Sequence, residues 1–120
     1  MNVIIVGIGG FIGAVLRYLI GLIPLKQASG FPIKTMCINI IGSFVIGLVA
    51  AYSIKHSESK ESLQLFLKVG ICGGFTTFSS FALETMNLLD NGNTFTAILY
   101  TSLSVICGVV AVYLAELLVR

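Results

Sequence analysis

Charge is scarce in this sequence. Lys and Arg number seven and Asp and Glu five, together 10% of its 120 residues. There is no Trp and a single His, His56, with no partner near it that would make a metal site. Cys37, Cys72 and Cys107 fall in separate hydrophobic runs with no CxxC pair, so they read as small apolar fillers and not as staples or ligands. No Walker sequence, HExxH motif, nucleophile elbow or basic aromatic groove occurs, so neither an enzyme nor a nucleic-acid binder is expected. Met1-Asn2 supplies no basic n-region, so a cleaved signal peptide is not expected and the first segment should remain. There is also no tandem repeat and no low-complexity tract.

What is there is apolar. The sequence is 57% hydrophobic, with a mean hydropathy of +1.04, the composition of a polytopic membrane protein. At roughly 20 residues per span, the runs divide residues 1–120 into a single all-α domain of four transmembrane helices, over about 3–23, 35–54, 63–89 and 95–119. Nothing is left over for a soluble domain, and the bilayer is the implied environment. With these spans one side carries Lys55, Lys60, Lys68 and Arg120 and the other Arg17, Lys26 and Lys34. That bias is too weak to fix orientation by the positive-inside rule. Subunits could insert both ways up, which an antiparallel dimer would use; slack selection on loop charge explains it equally.

The third segment is the unusual one. Gly70-Ile71-Cys72-Gly73-Gly74-Phe75-Thr76-Thr77-Phe78-Ser79-Ser80-Phe81 places glycine, hydroxyl and aromatic residues at membrane depth. Glycine tolerates backbone angles that other residues refuse, and Thr and Phe are middling helix formers, so a break is expected near Gly73 to Thr77. Non-helical backbone at that depth survives only where protein buries it or where it lines a wet cavity. The alternative is a packing motif in which small residues admit a neighbouring helix. Beyond the break, Thr77, Ser80 and Glu84 share one face, and Phe78 and Phe81 share another. Those rings are either packing or, edge-on, positive surfaces for a dehydrated anion.

The other segments carry patterned polar residues. Gly9 and Gly13, Gly10 and Ala14 form small pairs in segment one, with Gly21 further along. Arg17 follows on the Gly9–Gly13 row, where it either snorkels or is held by a partner. Pro24, Gly30 and Pro32 mark the first loop as a connector. In segment two Thr35, Asn39, Ser43 and Gly47 recur every four residues as one stripe, either interhelical glue or a site. Asn39 matters most, because its carboxamide needs partners and offers two N–H donors. The loop Lys55 to Ser62 is a solvated hairpin. Asp90-Asn91-Gly92-Asn93-Thr94 is a tight turn. Segment four carries Tyr100 and Ser104 one turn apart, then Gly108, Ala111 and Ala115 as a small-residue face, with Glu116 near the interface.

Three motifs read together carry a family resemblance: Gly9-Gly10-Phe11-Ile12-Gly13-Ala14-Val15-Leu16-Arg17-Tyr18, Thr35-Met36-Cys37-Ile38-Asn39-Ile40-Ile41-Gly42-Ser43-Phe44, and Gly73-Gly74-Phe75-Thr76-Thr77-Phe78-Ser79-Ser80-Phe81. In order and spacing, over nearly the whole chain, they closely resemble the Fluc (CrcB-type) family of bacterial fluoride channels. The resemblance implies a multi-pass protein of the bacterial inner membrane, an antiparallel dual-topology homodimer with two narrow fluoride pores along the subunit interface. It also implies a structural Na⁺ at the dimer centre, held by the main-chain carbonyls of Gly73 and Thr76 from each subunit. Phe78 and Phe81 match the family's pore phenylalanines and Asn39 its pore asparagine, while Tyr100 and Ser104 match pore-facing positions. Thr77, Ser80 and Glu84, with Thr35, look like its polar track, and Arg17 looks like the vestibule arginine. Transport would be passive. Two rival readings stand beside it: a small dual-topology proton-coupled exporter, for which Glu84 is the only embedded carboxylate, and a non-conducting partner subunit of a heterodimer. Segment one has no carboxylate, which disfavours an exporter that uses one there.

Overall fold

The computed structural model describes residues 1–25 and 30–120; Lys26, one of the basic residues tallied above, lies outside them. Among the described residues every regular element is helical. α1 spans Asn2–Gly21 and α2 Ile33–Lys55. The third span, Glu61–Asp90, is composite. It is built from α3 (Glu61–Gln64), a π-helical turn (Leu65–Cys72), the short α4 (Gly73–Phe75) and α5 (Phe78–Asp90). α6 spans Thr94–Val119. Among the described residues four helices are therefore long and apolar enough to cross a membrane, with ends within two residues of the expected ones. The molecule measures 51 × 30 × 21 Å, and its long axis exceeds the thickness of a bilayer with its headgroups, about 40–45 Å.

The expected break is present within the expected stretch, and of its two expected causes it is the threonines, not the glycines, that leave the helix. The residues that leave the helix are Thr76 (φ −77°, ψ 158°) and Thr77 (φ −150°, ψ 118°), both in extended conformations that suit β-branched side chains. The glycines before them keep helical angles; positive φ occurs only at Gly30 and Gly92 among the described residues. Gly92 turns the α5–α6 connection at φ +77°, as the Asn-Gly sequence demands.

The glycines serve close approach instead. α1 packs on the π-helical turn and α4, and glycine faces glycine across that contact. A Cβ at Gly9 would stand 2.6 Å from the Phe66 carbonyl oxygen and 2.9 Å from Gly70 Cα. One at Gly13 would stand 2.7 Å from the Phe75 nitrogen, and one at Gly74 would stand 2.9 Å from Gly10 Cα. The two readings of the glycine-rich stretch, break and packing face, are thus both realised, on adjacent residues. Gly73 is the exception, with no atom nearer than the Lys68 carbonyl oxygen at 3.8 Å. Its bareness faces outward.

α2 packs along α6, where Gly47 admits Ala115, and Ala111 and Ala115 are buried. At one end Lys55 Nζ donates to the Val119 carbonyl (2.8 Å), and at the other Lys34 Nζ donates to the Gly21 carbonyl (2.9 Å), each basic side chain meeting the negative end of a neighbouring helix. The first loop does more than connect: Phe31 meets Tyr100 edge-on, centroids 5.5 Å apart, in the small core of Leu88, Ala97 and Tyr100.

Because the α1 contact has no room for a methyl group, Gly13→Ala is expected to destabilise the folded protein by about 1–3 kcal/mol. Gly7→Ala, which meets nothing within 4 Å, is expected to be neutral or slightly stabilising. Thermal unfolding of both variants in detergent checks the pair.

Candidate functional site: a polar pathway through the broken helix

The break is held by one side chain. Asn39 Oδ1 accepts from the Thr77 N–H (2.8 Å) and Asn39 Nδ2 donates to the Thr77 carbonyl (3.0 Å). An extended residue points its N–H and C=O to the same side, so one carboxamide satisfies both. Thr77 then caps α5: its Oγ1 accepts from the Ser80 N–H at 3.2 Å and donates to Ser80 Oγ at 3.1 Å. Upstream, Thr76 Oγ1 and the Thr76 N–H both donate to the Cys72 carbonyl.

These bonds decide which carbonyls are set free. In an uninterrupted helix the Thr77 amide would serve the Gly73 carbonyl and the Ser80 amide the Thr76 carbonyl. Here the first is taken by Asn39 and the second by Thr77 Oγ1. Gly73 and Thr76 are the two positions that the family resemblance implies for sodium. Their oxygens lack their helical donors, and oxygen donors of this kind fit a hard cation. Two oxygens from one chain are a partial set for such an ion. No cluster of three or more His, Cys, Asp or Glu side chains suited to a metal is present among the described residues.

The remaining candidates sort into two clefts. One, of about 680 Å³, is lined by Arg17, Lys34, Thr35, Thr77, Ser80 and Glu84, among others. The second, of about 400 Å³, is lined by Asn39, Gly73, Thr76, Thr77, Phe78, Phe81 and Ser104, among others. Thr77 is the residue common to both. Tyr100 lines neither; it is wholly buried and donates to Glu84 Oε2 at 2.9 Å, while Thr35 Oγ1 donates to Glu84 Oε1 at 2.6 Å. The stripe on α2 therefore divides. Thr35, Asn39 and Ser43 face the clefts or their supports, and Gly47 faces packing.

Phe78 and Phe81 lie 5.8 Å apart, centroid to centroid, with their planes tilted by 46°, and Phe81 continues to Tyr100 at 5.1 Å. Phe78 is 78% exposed in the single chain, so packing within this chain does not account for it. Among the described residues two polar atoms are buried without a hydrogen-bond partner, Arg17 Nε and Ser104 Oγ. Each belongs to a residue lining one of the clefts, and an orphaned polar atom at such a place calls for a partner such as water or an ion. Arg17 is half-buried, and its Nε finds no bond.

A family model described as CrcB-like protein, Camphor Resistance (CrcB), matches residues 4–116. The chain belongs to the CrcB-like family. It is 45% identical over 118 residues to a protein of Prosthecochloris aestuarii, covering 98% of this chain and 92% of that one. It is 44% identical over 121 residues to one of Ruminiclostridium cellulolyticum, covering 100% and 93%. A protein of Azobacteroides pseudotrichonymphae is 41% identical over 118 residues, covering 98% and 94%. All three relatives bear the name fluoride-specific ion channel FluC. This CrcB-like chain is thus a multi-pass membrane protein of an ion-channel family.

Two features of the site had no sequence signal strong enough to find them. Lys34 lines the wider cleft beside Arg17, but in the sequence it is one more loop-end lysine. The π-helical turn has no compositional mark that separates it from an α-helix. If the Thr77 hydroxyl is the cap described, Thr77→Val should lower stability by about 0.5–2 kcal/mol while Thr77→Ser restores most of it. Chemical denaturation monitored by circular dichroism measures both.

Proposed function

We propose that this CrcB-like chain forms a passive, fluoride-selective channel of the bacterial inner membrane, working as an antiparallel dual-topology homodimer with two pores at the subunit interface. The observation that carries the proposal is the pair of clefts meeting at Thr77, lined by hydroxyl, carboxamide and aromatic groups and flanked by a guanidinium. The names of the relatives supply the ion.

Fluoride is small and strongly hydrated, so a selective path must replace its water with donors. Arg17 and Lys34 at the wider cleft give an attractive potential for an anion. Ser80 and Thr77 offer hydroxyls. Asn39 spends one Nδ2 hydrogen on Thr77 and keeps the second, and Ser104 Oγ has no partner to give up. The edges of Phe78 and Phe81 are positive and undemanding of water. Thr35 and Tyr100 hold Glu84 so that its oxygens are occupied by donors of this chain. A larger hydrated anion gains less from such a path and is rejected by its width.

The Gly73 and Thr76 carbonyls of two chains would hold the structural Na⁺. Its charge would raise the local potential near the narrow cleft. Fluoride that entered the cell as neutral HF and ionised would leave through the pore without coupling to another ion.

Liposomes containing the purified chain should lose fluoride rapidly and retain chloride, with no proton gradient needed; gradient-dependent transport would instead indicate an exporter. Silence for both ions from a folded dimer would indicate a subunit that needs a different partner. Phe81→Ile, which removes the aromatic edge offered to the ion, is expected to abolish fluoride efflux while the dimer still assembles on size exclusion. Undiminished efflux would remove Phe81 from the pore.

A further inference from the structure

We infer that Asn39 is the positioning residue of the cation site: by clamping the Thr77 peptide it takes away the amide that would otherwise close the Gly73 carbonyl, and so keeps that oxygen available to sodium. The inference rests on the sodium reading above and adds to it a residue that touches no cation.

Three observations join in it. The clamp is two-pronged, with Oδ1 on the Thr77 N–H and Nδ2 on the Thr77 carbonyl, so it fixes the orientation of the residue and not merely its place. The residue clamped is extended, at φ −150° and ψ 118°; without a partner on that side its amide would regain a donor bond most simply by returning to the Gly73 carbonyl four residues back. Asn39, Gly73 and Thr76 line the same cleft, so the clamp acts beside the residues whose oxygens it frees.

The consequence is a link between anion and cation chemistry through one peptide group. The Asn39 carboxamide that faces the narrow cleft is the group whose other bonds set the cation ligand. A purely anion-donating Asn39 would carry no such link, because its removal would weaken conduction and leave the cation site as it was.

The test is sodium dependence of thermal stability, measured on the purified dimer transferred from N-methylglucamine to increasing NaCl at constant ionic strength. Asn39→Ala should raise the half-saturating sodium concentration about tenfold or more, the equivalent of one mispositioned ligand bond. Asn39→Asp keeps an acceptor for the Thr77 N–H and should stay nearer the parent value; if the Ala variant does not assemble, Asn39→Ser, too short to hold the Thr77 N–H and carbonyl together, takes its place with the same expected shift. Phe78→Ile, which lies in the same cleft but outside the clamp, should lose fluoride efflux with an unchanged sodium midpoint. An Asn39→Ala dimer with the parent midpoint, or a Phe78→Ile dimer shifted as far as Asn39→Ala, overturns the clamp and leaves the sodium reading intact. A parent dimer whose stability ignores sodium overturns both.

Discussion

Peptide groups released from a helix inside a membrane have no water to turn to. That constraint governs the third span. A break that frees the amides of Thr77 and Ser80 and the carbonyls behind them is tolerable only because the donors are re-employed at once, one by the Asn39 carboxamide and one by the Thr77 hydroxyl. The geometry around the break follows from where those two bonds lead. They orient Thr77 between the clefts, start α5 so that Ser80 and Glu84 continue along the wider one, and leave the Gly73 and Thr76 oxygens without their helical partners.

The break also needs a rigid support, and glycine provides it from behind. Without side chains at Gly9, Gly13, Gly70 and Gly74, the backbones of α1 and the third span approach within contact distance, and the dispersion gained there replaces the hydrophobic driving force that lipid does not supply. α1 is thereby a fixed wall behind the interrupted span, with Arg17 carried on it into the wider cleft. The position of a guanidinium at that depth is set by the same glycine row that sets the packing.

Much of this was legible in the sequence, for identifiable reasons. Four long apolar runs at bilayer length leave few alternatives, and the four-residue rhythm of Thr35, Asn39 and Ser43 put their common face on one side of α2. The break was legible from composition, through glycine and threonine together: glycine suggested unusual backbone angles, while the extended angles belong to Thr76 and Thr77. The distinction could not be read because glycine serves a tight contact and an unusual angle equally well, and only the facing helix tells which. Asn39 was visible as a polar residue in need of partners, but a carboxamide matches a peptide N–H and C=O as readily as an ion. Its actual partner, 38 residues away, depends on how two spans cross. Lys34 and Phe31 were hidden for a similar reason, since their roles come from the return of the first loop over Tyr100 and α1 and not from local pattern.

The single chain also carries a demand that it does not meet by itself. Gly73, Phe78 and Ser79 are exposed beside the break, and irregular backbone turned toward lipid is the arrangement a membrane forbids. That surface must meet protein or a water-filled cavity. A second copy meets the demand with the fewest assumptions: in an isologous contact each patch covers its own counterpart, and the near balance of basic residues between the two ends sets little barrier to opposite insertion. On the proposed dimer, the two partial sets of carbonyls then face one another across the axis. The cation would compensate the convergence of like-oriented dipoles, and the exposed Phe78 of each chain would find a wall. The irregularity that makes the isolated span unfit for lipid is, on this reading, what makes two of them a pore.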